Sequence, residues 1–131
     1  MLTVEQRDQF DSILEQVLEE LPASVKEILE EVPLIVEDYP SDQIMQEMKV
    51  RRRGDLCGLY TGVPLTEGAG RLGRRYPDRI LIFRLGILRS ADMNATDAER
   101  ELKRQIKITI LHEVGHHHGL SERDLEELGY G

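Results

Sequence analysis

Two histidines four residues apart, with a glutamate beside the first, are the part of this chain best suited to chemistry. They are His112, His116 and Glu113, and residues 95–114 contain neither proline nor glycine. On a helix, side chains at this spacing lie about 40° apart, so both imidazoles can reach one ion. Zinc binds imidazole nitrogen, and a carboxylate at the second position can take a proton from metal-activated water. The spacing therefore predicts His112 and His116 as metal ligands and Glu113 as general base, against the alternative of histidines that only pack in the core.

A third ligand must come from elsewhere, because a catalytic zinc site uses three protein groups and one open position. Gly119 can end the helix and reverse the chain, which brings the residue three positions later back towards the ion. That residue is Glu122, an oxygen donor one methylene longer than aspartate. It also fits a second role, because Ser121 followed by acidic residues is typical of a helix N-terminus. Both roles remain open from the sequence.

The other candidate groups near this segment are expected to pack rather than to ligate. His117 and His118 are each rotated about 100° from their neighbours on a helix, so neither faces the same ion as His112 and His116. Cys57 is the only cysteine and is expected to be a small buried side chain. The alternative for Cys57 is a thiolate that caps the metal and blocks activity.

The elements that must position these groups are visible in the apolar periodicity. Thr96 to Glu99 has the form of a capping box, and it precedes apolar residues at helical spacing as far as Val114. Residues 3–21 form an amphipathic pattern, and Pro22 opens a second helix to about Glu31. We therefore expect an N-terminal helix that covers the core and a long helix that carries the metal ligands.

Strands are predicted at residues 34–36 and 79–84, with a weak helical turn over 41–49. The second strand either offers a free edge that binds an extended peptide or lies inside the sheet with both edges paired. Residues 54–73 are rich in glycine, which predicts a long loop with a short strand at 56–60. That loop is either plain irregular structure or disorder, or a flap or substrate-binding wall near the metal.

Length and composition predict one compact domain over residues 1–131, with a core of aliphatic side chains because only 5% of residues are aromatic. No leader-like or membrane-spanning apolar segment is present, and a single cysteine suits a reducing compartment. We therefore expect a cytoplasmic protein with no membrane partner.

Charge is unevenly distributed, because residues 49–90 hold 10 basic and 3 acidic side chains in a chain of net charge −8. The clusters at 49–53 and 71–75 are expected to pair with the acidic N-terminal helix or to be solvated. Recognition of an acidic substrate is the alternative. Nucleic acid is an unlikely partner, since no aromatic residues are interleaved with the bases for stacking.

Residues 112–130, together with 58–66, 36–40 and 77–80, resemble the small bacterial zincin-like, or minimal matrix-metalloprotease-like, metallopeptidase domains. The resemblance spans nearly the whole chain. It implies an α+β fold with a small mixed sheet packed against an active-site helix, Zn²⁺ as cofactor, and a peptide or protein as substrate. By position it implies His112, His116 and Glu122 as ligands and Glu113 as base.

The sequence departs from that pattern in three places. Position 122 is Glu where such motifs carry Asp, and position 118 is His where an aromatic residue is expected, which offers a rival nitrogen ligand. No methionine follows Met93, so the methionine turn of larger relatives is absent. These departures keep open a non-catalytic metal-binding or interaction domain as the alternative to a peptidase. A metal-dependent nuclease is a third hypothesis, which the Glu at positions 113 and 122 disfavours.

Overall fold

The structure is a computed structural model that describes residues 2–62 and 78–127. These residues form six helices and three strands in an α+β arrangement. They are α1 Val4–Glu20, α2 Ala23–Glu31, β1 Leu34–Glu37, α3 Asp42–Met48, a 3₁₀ turn Arg53–Asp55, β2 Gly58–Thr61, β3 Arg79–Phe83, α4 Arg84–Ser90, α5 Ala98–His117 and α6 Glu122–Glu127.

The predicted N-terminal amphipathic helix is present as α1. Its first turn is closed by a capping box, in which the Thr3 hydroxyl accepts from the Gln6 N–H and the Gln6 side chain accepts from the Thr3 N–H. Its apolar stripe, which includes Phe10 and Val17, is buried, and α1 packs against α5. The helix therefore covers one side of the core, as expected.

The sheet has three strands in the order β1-β3-β2, with β1 parallel and β2 antiparallel to β3. The middle strand β3 is buried from Ile80 to Phe83, which explains its unbroken apolar run. Of the two alternatives for this strand, the structure has the interior one, because both edges of β3 are already paired. Within the described residues, β2 pairs only with β3 and stands at the edge of the sheet.

The long helix α5 packs against β2, β3, α1 and α4. Its residues Leu102, Ile106 and Ile110 are fully buried, one helical turn apart. Asp97 caps its N-terminus and accepts from the Arg100 N–H at 3.1 Å, so the cap lies one residue later than the predicted Thr96. An aspartate caps at least as well as threonine and adds a negative charge at the positive end of the helix.

Two other elements differ from the prediction in extent. Residues 42–48 form a helix of about two turns rather than a weak turn, because the Ser41 hydroxyl accepts from the Ile44 N–H at its start. The strand expected at 56–60 begins at Gly58, since the 3₁₀ turn comes before it. Residues 63–73 of the glycine-rich segment and the basic cluster at 71–75 lie outside the described residues.

Arg84 and Lys103, which lie outside the clusters at 49–53 and 71–75, form ion pairs with acidic residues of α1. Arg84 bonds Asp11 of α1 at 3.0 Å and Asp38 at 3.0 Å, and Arg7 also bonds Asp38. Arg53 instead lies over the ring of Tyr39. Among the helices in residues 2–62 and 78–127, none combines the length and apolar character needed to cross a bilayer.

Candidate metal centre

The C-terminal end of α5 is shaped by the glycine that follows it. Gly119 has φ of 86°, a left-handed conformation that glycine adopts without steric cost. Its N–H donates to the His116 carbonyl at 2.9 Å, and the Leu120 N–H donates to the Gly115 carbonyl at 3.0 Å. This is a Schellman C-cap, which ends the helix and reverses the chain as the sequence predicted.

The reversed chain starts α6 directly opposite the end of α5. The Ser121 hydroxyl accepts from the Asp124 N–H at 3.1 Å, and the Asp124 carboxylate accepts from the Ser121 N–H at 3.0 Å. Glu122 is therefore the first residue of α6, behind a closed N-cap. Glu122 thus stands at the start of a helix and also directs its carboxylate towards His112 and His116 of α5, so its position is compatible with both roles considered for it.

The side chains of His112, His116 and Glu122 converge. The two Nε2 atoms lie 3.2 Å apart, and Glu122 Oε1 lies 3.2 Å from His112 Nε2 and 3.1 Å from His116 Nε2. Within the described part of the chain, these three residues form the one group whose donor atoms could share an ion. The spacing of i and i+4 on the helix and the Gly119 reversal together produce this convergence.

The donor set and its dimensions fit zinc. Two imidazole nitrogens and one carboxylate oxygen leave a fourth position open, as in catalytic sites. Ligands at about 2.0–2.1 Å in a tetrahedron lie roughly 3.3 Å from one another, close to the separations found here. His116 Nδ1 lies 2.9 Å from the Leu120 carbonyl and donates to it, so Nε2 keeps its lone pair for a metal.

Glu113 lies beside this group but belongs to a different environment. It is only 5% exposed, and its Oε2 lies 3.9 Å from His112 Nε2. Burial raises the pKa of Glu113, and the neighbouring imidazoles and a hydrogen bond from the Tyr60 main chain oppose that rise only in part. A buried carboxyl with a raised pKa is a stronger base than an exposed one and is suited to accept and return a proton.

The close approach of β2 to α5 places Tyr60 beside Glu113, and Gly58 makes that approach sterically feasible. A Cβ at position 58 would lie 2.9 Å from Thr109 Cγ2, 3.0 Å from the Leu81 carbonyl oxygen and 3.3 Å from Glu113 Cγ. A residue without a side chain is therefore needed here for the strand to reach the helix.

His117 packs on the other side of Tyr60, as a buried residue that is 7% exposed. Its Nδ1 donates to the Tyr60 hydroxyl at 3.3 Å, and that hydroxyl donates to Asp78 at 2.9 Å. Burial lowers the pKa of His117, which favours the neutral ring. Its position agrees with the prediction that it packs rather than ligates.

The rival ligands considered from the sequence do not join the group. His118 is exposed and lies outside the set formed by the other two histidines and Glu122 among the described residues. Cys57 is half-buried rather than fully buried, and its Sγ lies 3.2 Å from the Ser90 hydroxyl. Burial raises the pKa of its thiol, so a thiolate is disfavoured.

A cleft of about 280 Å³ opens in front of the three converging side chains. Its walls come from α3, the segment before β2, β2 itself, α5 and α6. Among its lining residues, Leu56 and Tyr60 come from the segment for which a substrate-binding wall near the metal was one alternative, and Met48 comes from a segment with no predicted role in the site. Their contribution depends on long-range packing, and for Tyr60 on a main-chain N–H that carries no residue-type signal.

Comparison with known proteins agrees with this geometry. The model of a protein family described as "Zincin-like metallopeptidase" matches residues 29–131. No curated protein matches the chain. The matched range begins within α2 and includes the whole sheet, α5 and α6.

Proposed function

Since this chain belongs to the zincin-like metallopeptidase family, we propose that it is a zinc-dependent peptidase that acts as a single domain over residues 1–131. Family membership carries with it a metal cofactor, typically zinc, and a peptide or protein substrate. The proposal adds the residues: His112, His116 and Glu122 hold the ion, and Glu113 is the general base.

One observation carries the assignment. Three metal-binding side chains meet with their donor atoms 3.1–3.2 Å apart. A fourth ionisable group, Glu113, is buried next to them and has no structural salt bridge to a lysine or arginine among the described residues. A site that only stored or sensed a metal would not need this second carboxyl.

The chemistry divides between the cofactor and the chain. Zinc, when bound, lowers the pKa of water and polarises a peptide carbonyl. Glu113 accepts one proton from the attacking water as the water oxygen bonds to the carbonyl carbon of the peptide. Glu113 then returns that proton to the amide nitrogen as the C–N bond breaks, which gives an amine and a carboxylic acid, and the acid releases the second water proton to solvent.

The edge of the sheet supports a peptide as the substrate. Among the described strands, β2 pairs with β3 alone, and Leu59 and Tyr60 of β2 line the cleft. An extended peptide that lies along β2 would reach the converging side chains of His112, His116 and Glu122. The proposed docking strand is β2 rather than β3.

The variant Glu113→Gln tests the proposal, because it keeps the shape of the side chain and removes its basicity. We expect zinc to remain bound with unchanged stoichiometry, while hydrolysis of a peptide mixture falls by about 10²- to 10⁴-fold. Glu19→Gln, at an exposed position of α1, is the matched control and should leave both unchanged.

Two results would contradict the assignment. Full hydrolysis by Glu113→Gln would remove Glu113 from its role. Stoichiometric zinc binding without any hydrolysis by the unmodified protein would favour the alternative, a metal-binding domain without catalysis.

A further inference from the structure

A short basic segment joins two residues of the cleft wall. Met48 ends α3, Leu56 comes shortly before β2, and both side chains line the cleft. The chain between them, residues 49–55, holds four basic residues and one acidic residue. Successive Cα atoms are about 3.8 Å apart, so every residue of this segment lies within about 15 Å of the cleft wall. The basic segment therefore begins and ends at the cleft.

The cations of this segment are exposed and weakly paired. Lys49, Arg51 and Arg52 are exposed, and the described part of the chain holds no acidic group that pairs with them. Arg53 lies 3.8 Å from Asp42, a carboxylate that is 89% exposed. A pair at that distance, with both groups in water, contributes little. These cations are therefore available to a carboxylate from another molecule.

Arg89 of α4 adds a fifth cation at the same place. Its side chain crosses the main chain of Gly54, because its Nη1 lies 2.6 Å from the point that a Cβ on Gly54 would occupy. Arg89 is exposed and has no acidic partner within residues 2–62 and 78–127. The hydroxyl of the next residue, Ser90, lies 3.2 Å from the sulfur of Cys57, which lines the cleft. This end of α4 therefore also lies against the cleft wall.

Strand β2 leads from the basic segment towards the metal-binding residues. Gly58 faces Thr109 and Glu113 of α5, and Tyr60, two residues later, contacts the ring of His117. β2 and α5 thus run in the same direction beside the cleft. A peptide that lies along β2 advances about 3.3 Å per residue, as the strand does. Its residues about four or more positions from the scissile bond would therefore reach the basic segment.

We propose that a basic patch, which consists of Lys49, Arg51, Arg52, Arg53 and Arg89, binds a run of acidic residues of the substrate at that distance from the scissile bond. This rests on the proposed peptidase function and adds the substrate class, a peptide or protein segment with clustered Asp and Glu. Four of the five cations are arginines. Their planar guanidinium groups bind carboxylates through paired hydrogen bonds, which lysine cannot form.

The surroundings of the patch favour an acidic peptide over nucleic acid. Proteins that bind single-stranded nucleic acid use aromatic side chains on which the bases stack. Tyr39 is an aromatic residue beside the patch, but the Arg53 guanidinium covers one face of its ring at 4.5 Å from the centroid. A long polyanion would also have to cross the surface of a protein whose net charge is −8. A short acidic run can contact the patch alone.

The test is the binding of two fluorescent peptides to zinc-loaded Glu113→Gln, which the peptidase proposal expects to bind a peptide without cleaving it. The peptides share one central sequence and carry either Glu or Gln at several positions at both ends. We expect the Glu peptide to bind on the order of tenfold more tightly at about 50 mM salt. This preference should fall to about twofold or less at about 0.5 M salt, because salt screens exposed charges.

Charge reversal in the patch provides the matched pair of variants, each made in the Glu113→Gln background. The double variant Arg51→Glu, Arg52→Glu should abolish the preference for the Glu peptide. The control is the double variant Arg100→Glu, Lys107→Glu, at exposed positions of α5 outside the patch. It makes the same change in net charge and should keep the preference.

Equal or absent binding of the two peptides, or a preference that persists in the patch variant, would overturn the inference. A single-stranded oligonucleotide that binds more tightly than the Glu peptide, and is released by the patch variant, would also overturn it in favour of nucleic acid. Dimerisation of the unmodified protein at low salt that is lost in the patch variant would assign the patch to the acidic α1 of a second copy instead.

Hydrolysis separates this inference from the proposed function. If the zinc-loaded unmodified protein cleaves no member of a peptide library, the peptidase proposal fails, and a patch-dependent preference for the Glu peptide would still support binding of acidic peptides. If the library is cleaved, Asp and Glu should be enriched severalfold about four or more positions from the cleaved bond. Cleavage without this enrichment would contradict the inference and leave the peptidase proposal standing.

Discussion

At the scale of single residues, the unusual feature is a glutamate in the position of the third ligand. Burial alone would raise the pKa of Glu122, but His112 and His116 lower it further than burial raises it. The side chain is therefore held as a carboxylate next to the two imidazoles. Its extra methylene is accommodated because Glu122 begins α6, where the side chain is largely exposed and free to extend.

We expect Glu122→Ala to weaken zinc binding by at least ten- to hundredfold, since even losing a group that only orients a ligand costs that much. His118→Ala should leave zinc affinity unchanged, because His118 is exposed and outside the group. Competition with a chromophoric chelator measures both. The reverse pattern, with His118→Ala weakening binding and Glu122→Ala not, would make His118 the third ligand.

Most of the candidate site could be predicted from residue spacing, because its central geometry is local. A spacing of four residues on one helix brings His112 and His116 together. The reversal of the chain at Gly119, three residues later, brings Glu122 close to both. Tyr60 could not be found in this way, since its contact with Glu113 is through the main chain and depends on the packing of β2 against α5. Met48 is separated from Glu113 by 65 positions, and only the tertiary fold brings it to the cleft.

At the scale of elements, the distance between β2 and α5 depends on the absence of a side chain at Gly58. We expect Gly58→Ala to lower the free energy of unfolding by about 1–3 kcal/mol, as overpacking does, because two of the nearest atoms belong to the tightly packed Thr109 and the Leu81 main chain. The displacement should also pull the Tyr60 N–H away from Glu113. Chemical denaturation measures the loss of stability.

Gly54→Ala is the matched control. A Cβ at position 54 would also come too close to another group, but that group is the end of the Arg89 side chain, which is flexible and can move. We expect a change of less than about 0.5 kcal/mol there. Equal losses for the two variants would mean that the β2–α5 distance does not depend on Gly58.

The sequence predicts an element where its local signal is strong, and it leaves alternatives open where the environment depends on neighbouring elements. The periodicity of α1 and α5 defines both helices to within a few residues. The status of β3 could not be read from its apolar run, because such a run is compatible with several environments. The pairing of β1 and β2 on its two sides, which brings together residues far apart in the chain, makes it the centre of the sheet.

At the scale of the whole molecule, a charge network ties the N-terminal helix to the sheet and to α4. Asp38, just after β1, accepts from Arg7 of α1 and from Arg84 at the start of α4, and Arg84 also bonds Asp11. Burial would raise the pKa of Asp38, but the two guanidinium groups lower it below its ordinary value of 3.8. The Asp38 carboxylate thus connects α1, the end of β1 and α4, which are far apart in the sequence.

We expect Asp38→Asn to destabilise the protein by about 1–2 kcal/mol at pH 7, which corresponds to roughly 3–8 °C in Tm, since charge-assisted bonds to a partly exposed group are lost.

The pH dependence of this loss follows from the depressed pKa of Asp38 in the folded protein. The contribution of Asp38 to stability is fully present above the unfolded pKa and is lost as the pH falls through the folded pKa. The gap in Tm between Asp38→Asn and the unmodified protein should therefore be constant from pH 7 to about pH 5. The gap should narrow once the pH falls below the unfolded pKa of about 3.9, and it should close only when the pH has fallen through the lower folded pKa. Asp8→Asn, at an exposed position of α1, should have the same Tm as the unmodified protein at each of these pH values. A gap for Asp38→Asn that widens on acidification would mean that Arg7 and Arg84 do not stabilise the carboxylate form.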